Sequence, residues 1–217
     1  SLNLVTFSKY MSTWGVQYDN FANGIGTLGG GDIDVNVGRD AVNLTLAAPT
    51  TAMQIGAIPV DGNSVSSNEV LIRGGGDIAV TTGNDILSGH YLVSDGRLNV
   101  IAGGSMMNAA QNDVATAVTF GKADMSLKAR KHIDVTRVMD QGMVTLSELQ
   151  SASDAAKSLY FTDASADSLM VQSITGNIRF NPDSGDDFAS KLHAVLPADV
   201  QALALDGNIQ IDKAIGL

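Results

Sequence analysis

One short phrase recurs along this chain of 217 residues: a glycine, a polar residue, then apolar residues at every second position. It reads Gly31-Asp32-Ile33-Asp34-Val35, Gly76-Asp77-Ile78-Ala79-Val80, Gly96-Arg97-Leu98-Asn99-Val100, Gly176-Asn177-Ile178-Arg179-Phe180 and Gly207-Asn208-Ile209-Gln210-Ile211. A turn feeding a short strand, written repeatedly without a metal motif, is the signature of a parallel β-solenoid. Each copy runs in the same direction and can bury only one face. The copies must therefore stack, each hydrogen-bonded to its equivalents above and below at about 4.8 Å.

The alternation extends beyond the phrase. Ile33, Val35 and Val37 point one way while Asp32, Asp34 and Asn36 point the other. After the corner Gly38-Arg39-Asp40 it resumes with Val42, Leu44 and Leu46; Ile78 and Val80 lead in the same way into Gly83-Asn84-Asp85 and Ile86. A degenerate copy, Met125-Ser126-Leu127-Lys128-Ala129 followed by Ile133-Asp134-Val135, keeps Met125, Leu127 and Ala129 inward. There Arg130-Lys131-His132 replaces the glycine corner, which predicts a wider turn. Asp32 and Asp77 are 45 residues apart, which fits two coils, whereas Ile78 and Leu98 are 20 apart, which fits one. Roughly nine or ten coils are expected, a rod on the order of 45 Å long with bare strand edges at its ends.

The fold class read from this pattern is all-β, a right-handed parallel β-helix (β-solenoid) with one or two short helices in side loops. It forms a single domain over residues 1–217, with 1–28 as a cap or flanking segment. Residues 145–160 read as a helical insertion: Ser147 and Gln150 form a capping box, and Leu149, Ala152, Ala156 and Leu159 recur at helical spacing. Residues 182–197 read as a loop insertion with a helical turn around Asp187–Leu192. The chain begins in mid-pattern at Leu2 and Leu4 and ends soon after Ile209 and Ile211, as a piece of something longer would.

Composition narrows the function classes. The net charge is −10 and no Lys/Arg cluster offsets it, which argues against nucleic acid as a partner. The densest basic stretch, Lys128–His132, reads as a solvated strand edge where lysines discourage pairing. There are no cysteines, which removes disulfides, thiol catalysis and thiolate metal sites together. No stretch approaches the ~20 apolar residues of a membrane helix, so no membrane insertion is expected.

Motifs for chemistry are weak. Gly24-Ile25-Gly26-Thr27-Leu28-Gly29 has the glycine spacing of a dinucleotide site, but it runs into another strand where that site needs a helix N-terminus. Gly29-Gly30-Gly31-Asp32 is similar to a calcium nonapeptide but lacks its later glycine and its tandem repetition; a corner aspartate more simply caps its own turn. Asp186-Asp187 is the adjacent acidic pair and reads as a solvated loop. Gly89-His90-Tyr91 carries a His beside a glycine and reads as a surface His, and His132 and His193 lack metal-ligand spacing. Asn43-Leu44-Thr45 fits a glycosylation sequon inside a strand. Catalytic, metal and cofactor sites are therefore read as none, and the chain is read as not an enzyme. Tyr10, Trp14, Tyr18 and Phe21 are the one aromatic concentration; Tyr10, Trp14 and Tyr18 are the candidate glycan contacts, with packing into a cap as the simpler alternative.

The run Gly24–Ala41 resembles the filamentous-haemagglutinin-like large exoproteins of Gram-negative bacteria, as do Leu159–Ser165 and Ala202–Ile209. Phrases of this kind occur toward the C-terminal part of such proteins. The resemblance implies a parent chain secreted across the outer membrane with a transporter partner, the two-partner pathway, and localisation as secreted or on the outer cell surface. It implies a structural and adhesive segment, a rigid rod presenting loops for attachment to a host-cell glycan or surface receptor. The loops would be Tyr10–Phe21, Val60–Asn68 and Pro182–Pro197, where the strand pattern breaks. The family's asparagine-rich secretion domain is absent from these residues. The alternative is a polysaccharide-degrading lyase or hydrolase on the same scaffold, which requires acids clustered on one face.

Overall fold

The apolar residues of the phrase stand in columns. In the computed structural model, which describes residues 24–54, 70–109, 116–141, 166–180 and 196–212, the described elements are all strands. Most of them join one large parallel sheet that winds on itself in a solenoid-like manner.

The strands follow one another in a regular order. β1 (Ile25–Gly26), β2 (Ile33–Val37) and β3 (Ala41–Ala48) are followed by a side hairpin, β4 (Thr50–Gln54) with β5 (Val70–Gly74). Then come β6 (Ile78–Thr82), β7 (Ile86–Ala102), β8 (Met106–Met107), β9 (Ala117–Ala129), β10 (Ile133–Val135) and β11 (Arg137–Asp140). The last are β12 (Ser168–Ser173), β13 (Ile178–Phe180), β14 (Asp199–Ala204) and β15 (Ile209–Ile211).

Each winding has three sides. On the first, Ile33, Ile78, Leu98, Met125, Leu169 and Val200 lie in one register column. On the second, the column is Ala41, Ile86, Met106, Ile133, Ile178 and Ile209. On the third it is Ile25, Leu46, Tyr91, Val118 and Val138. β7 and β9 run through corners: β7 serves all three sides in turn, and β9 serves the third and the next first.

The columns are the core. Ile78, Leu98, Leu127, Val100, Val171, Ile133 and Ile178 are all at most 1% exposed. With a period of two, every second residue of each strand joins this interior, and the pairing register carries that parity from winding to winding. Met125, Leu127 and Ala129 are buried as expected, and Met106 fills the core while Met107 is half-buried.

The spacing arithmetic corrects several expectations. Ile33 pairs directly with Ile78, so the interval between the first two copies is one winding rather than two. A plain winding takes 20 residues, as from Asp77 to Arg97 and from Asp85 to Ser105. Others are longer: 45 residues from Asp32 to Asp77, 44 from Asp124 to Ser168 and 31 from Asn177 to Asn208. The winding from Leu98 to Met125 exceeds the plain one by less. Excursions of very different size are thus added to a common coil. The first carries the β4–β5 hairpin, antiparallel and outside the main sheet. Six windings are described rather than nine or ten, a stack of about 24 Å. The five copies of the phrase do not share a side either. Ile33, Ile78 and Leu98 belong to the first column, while Ile178 and Ile209 belong to the second.

The excursions obey a rule. Four windings pass from the first column to the second by a stretch of identical length: Ile33 to Ala41, Ile78 to Ile86, Leu98 to Met106 and Met125 to Ile133. The last two, Leu169 to Ile178 and Val200 to Ile209, lengthen that stretch by a single position. All other extra length falls between the second column and the next first column. Arg130-Lys131-His132 therefore spans a corner of the ordinary length, not a wider one. Nor is this stretch a sheet edge: Arg130 N–H donates to the Ala102 carbonyl (3.1 Å) and Thr175 N–H donates to the Arg130 carbonyl (2.8 Å).

Val42 is 55% exposed, against the inward placement expected of it. Its neighbour Ala41 holds the inward column, so Val42 points out; Asn43, with φ 52°, then turns the chain between the second and third sides and shifts the parity so that Leu46 is inward. Ser88 does the same one winding later, with φ 58°. The sequon Asn43-Leu44-Thr45 thus lies inside β3, as expected, at the point where that strand turns its corner. Residues 145–160, the helical turn at Asp187–Leu192 and the segment 1–23 lie outside the described residues. Of the loop Pro182–Pro197 only Leu196 and Pro197 are described; Leu196 is buried against the core.

Candidate functional site

The outward residues of the first side are the complement of its core column. Ala79, Asn99, Ser126 and Met170 line up over β6, β7, β9 and β12. Alanine, asparagine and serine are short, so the surface dips there, and the corner residues Asp77, Arg97 and Asp124 stand along one margin. The result is an open groove of about 520 Å³ crossing several windings.

Its charged margin belongs to the scaffold. Asp32 accepts the Asp77 N–H at 2.9 Å, and Asp77 accepts the Arg97 N–H at 2.9 Å. The same Asp77 carboxylate takes the Arg97 guanidinium through Nε (3.0 Å) and Nη2 (2.5 Å). That guanidinium holds the Asp77 carboxyl below its ordinary range, and Asp77 in turn raises Arg97. An aspartate kept ionised in this way is a poor proton donor, so it does not suit the acid role of a glycosidase. Asp124 accepts the Ser168 hydroxyl at 2.9 Å. On the floor, Ser126 Oγ is enclosed and finds no partner among the described residues.

A second ladder lies at the next corner. Asp40 accepts the Asn84 side-chain amide (2.6 Å) and the Asp85 N–H (3.0 Å), and these bonds lower its carboxyl. Asp85 accepts the Ser105 N–H at 2.7 Å, His132 Nδ1 accepts the Asn177 N–H at 3.0 Å, and Asn177 accepts the Asn208 N–H at 2.9 Å. Aspartates at the corners were expected to cap their own turns. They cap the turn of the following winding, whose N–H the stacking brings within hydrogen-bond distance.

Glycine recurs at the first corner for a related reason. Gly76 and Gly96 have φ of +144° and +148°, and a Cβ on either would collide with the carbonyl oxygen of Gly31 or Gly76 on the winding before. The phrase glycine therefore marks close backbone approach as well as a turn. The run Gly24–Gly29 passes from β1 through a turn toward β2, so no helix N-terminus follows it and it offers no pyrophosphate cradle.

His90 is a correction. It sits within β7 on the third side, partly buried, with Nε2 2.8 Å from Thr119 Oγ1. Burial, aided by Arg137, pushes it down to about 4. A neutral imidazole locked in a strand is not the surface His expected from the sequence. His132 is exposed at the opposite corner from the groove acids. No group of three metal-ligating side chains occurs among the described residues, and no helix among them is long and apolar enough to cross a membrane. Tyr10, Trp14, Tyr18, Phe21, Asp186, Asp187 and His193 lie outside the described residues.

The groove residues Asn99, Ser126 and Met170 escaped the sequence reading. Their outward parity was visible, but bringing them side by side requires the lengths of the excursions, which the repeat does not encode. Compared with known proteins, the chain matches no family model, no curated protein and no solved structure.

Proposed function

We propose that this chain is a presentation scaffold: a right-handed parallel β-helix segment of a filamentous-haemagglutinin-like exoprotein that holds side loops for adhesion. The reading places it secreted or on the outer surface of a Gram-negative cell, its parent chain exported with an outer-membrane transporter. The right hand follows from the strong preference of parallel strand crossovers for it, about 98%.

The observation that carries the proposal is the asymmetry of the windings. The first-to-second corner varies by no more than a single position throughout, while nearly all of the added chain enters between the second column and the next first column. A stack constant along one flank and variable along the other suits a rod that displays loops to one side. The loops would meet a host-cell glycan or surface receptor.

The test is binding of the purified protein to cells and to a glycan array, repeated with residues 55–69 and 182–195 each replaced by short Gly/Ser linkers. Loss of binding in a shortened variant that keeps its β-type circular dichroism supports the proposal. Binding unchanged in both variants, or absent from the intact protein, sinks it. Release of reducing or unsaturated ends from a polysaccharide would replace it with the enzymatic alternative.

A further inference from the structure

The basic stretch Lys128–His132 guards no sheet edge, because backbone hydrogen bonds join it to the windings before and after. Its cations are also unspent. Among the described residues none of Lys128, Arg130 and Lys131 makes an ion pair, whereas Arg97 and Arg179 are held by Asp77 and Asp212. The adjacent windings leave these side chains uncovered. Arg130 N–H donates to the Ala102 carbonyl and Lys131 N–H to the Gly104 carbonyl, so Gly103 and Gly104 lie directly behind them. Ahead, Gly176 comes so close that a Cβ on it would stand 2.6 Å from the Lys131 carbonyl carbon. Ile174, ahead of Arg130, is 48% exposed. His132 accepts the Asn177 N–H at Nδ1, so its Nε2 carries the proton and is a further donor.

We propose that this corner binds an acidic polysaccharide, a hexuronate chain that lies along the winding and so across the stack. Lys128 and Arg130 share one outward parity about 7 Å apart, and Lys131 and His132 follow round the corner. Donors strung out in this way suit a polymer with a carboxylate on each sugar better than one small anion. The Arg130 guanidinium can take a carboxylate through two parallel N–H groups, and the exposed Ile174 offers a surface to the apolar face of a sugar ring.

The distribution of acids selects this partner over an anionic membrane. The chain carries a net charge of −10, but the acids along the margin of the first side stand far off. Asp124 is six strand residues from Arg130, about 20 Å, well beyond the ~8 Å over which charge acts at physiological salt. Asp134, on the same strand run, is the register partner of Arg179, which also holds Asp212. Along the stack, Asp85 lies two windings behind this corner and Asp206 two windings ahead, each roughly 10 Å away. A flat membrane that met the cations would press its phosphates on both of those acids. A single chain following the winding meets the cations alone.

The inference stands apart from the loop-borne adhesive reading, since it puts the ligand on the coil itself. Its test is titration of the full chain with alginate, with neutral dextran and with phosphatidylglycerol vesicles, each at low and at high salt. Alginate should bind at low salt and release as salt rises, and dextran should not bind. Arg130→Ser and Lys131→Ser should each weaken alginate binding about ten-fold. Circular dichroism and urea midpoints should not change, because both side chains are exposed. Lys122→Ser removes the same charge at another corner and should bind as the intact chain does. So should the variants with residues 55–69 and 182–195 replaced. No alginate binding at low salt, equal binding of dextran, an equal loss in Lys122→Ser, loss in either shortened variant, or tighter binding to the vesicles than to alginate would each overturn it.

Discussion

Asp77 accepts the backbone N–H of Arg97 one winding ahead while giving its own N–H to Asp32 one winding behind. A single residue therefore ties three consecutive windings at their first corner. In a parallel stack the corners are where strand hydrogen bonding lapses, and a side-chain acceptor there satisfies an N–H that the sheet leaves over. The acidic excess of the chain is partly explained by this role: Asp32, Asp40, Asp77 and Asp85 all serve as such acceptors.

Removing the acceptor should weaken the stack more than removing its charge. Asp77→Ala leaves the Arg97 N–H without its side-chain partner and is expected to cost about 1–2 kcal/mol in urea unfolding. Asp77→Asn keeps an amide oxygen in place and should cost less than half as much, since the exposed pair with Arg97 contributes little. Equal losses in the two variants would refute the acceptor role. The Asp77 carboxyl is lower in the folded protein than its ordinary 3.8, so its contribution is present above that value and lost as pH falls below it.

Glycine substitutions should separate two kinds of turn. Gly76→Ala and Gly96→Ala force a Cβ into the carbonyl of the preceding winding at φ values that alanine avoids, and each is expected to destabilise by about 1–3 kcal/mol or to prevent folding. Gly29→Ala meets open space and should be neutral within about 0.5 kcal/mol. Denaturation midpoints of the three variants check this.

The direction of the strands and their inward parity were legible in the sequence, because Ile33/Asp34/Val35 and Met125/Ser126/Leu127 state the period of two outright. The number of windings was not. The 45 residues between Asp32 and Asp77 contain a hairpin, Thr50–Gly74, whose alternation looks like a further winding. The parity break after Val42 was hidden for a different reason: a left-handed Asn43 leaves no mark in hydrophobic pattern. The groove was illegible because Ala79, Asn99, Ser126 and Met170 become neighbours only through register.

Side-chain truncation on the two faces of one strand should give opposite results. Leu98 is 1% exposed in the first column, so Leu98→Ala is expected to cost about 2–5 kcal/mol through lost burial and a cavity. Asn99, its outward neighbour, is exposed, and Asn99→Ala should stay within about 0.5 kcal/mol. Comparable losses at the two positions would contradict the assigned parity of β7.

Acid should loosen the stack through His90. In the folded chain its pKa is pushed down from 6.5 to about 4 by burial, while the unfolded chain titrates near the ordinary value. Between those two values the unfolded state binds the extra proton, so stability rises with pH across that window. The contribution is fully present above about 6.5 and is lost progressively as pH falls toward 4, by up to roughly 3 kcal/mol. Urea midpoints measured at steps through this range should fall steadily with acid. His90→Gln keeps a hydrogen-bonding group near Thr119 Oγ1 without a titratable one, and its midpoint should be nearly flat from pH 6.5 to about pH 5, before the carboxylates begin to respond. A wild-type curve as flat as that of the variant would show that the imidazole is open to solvent and that the third side is not packed around it.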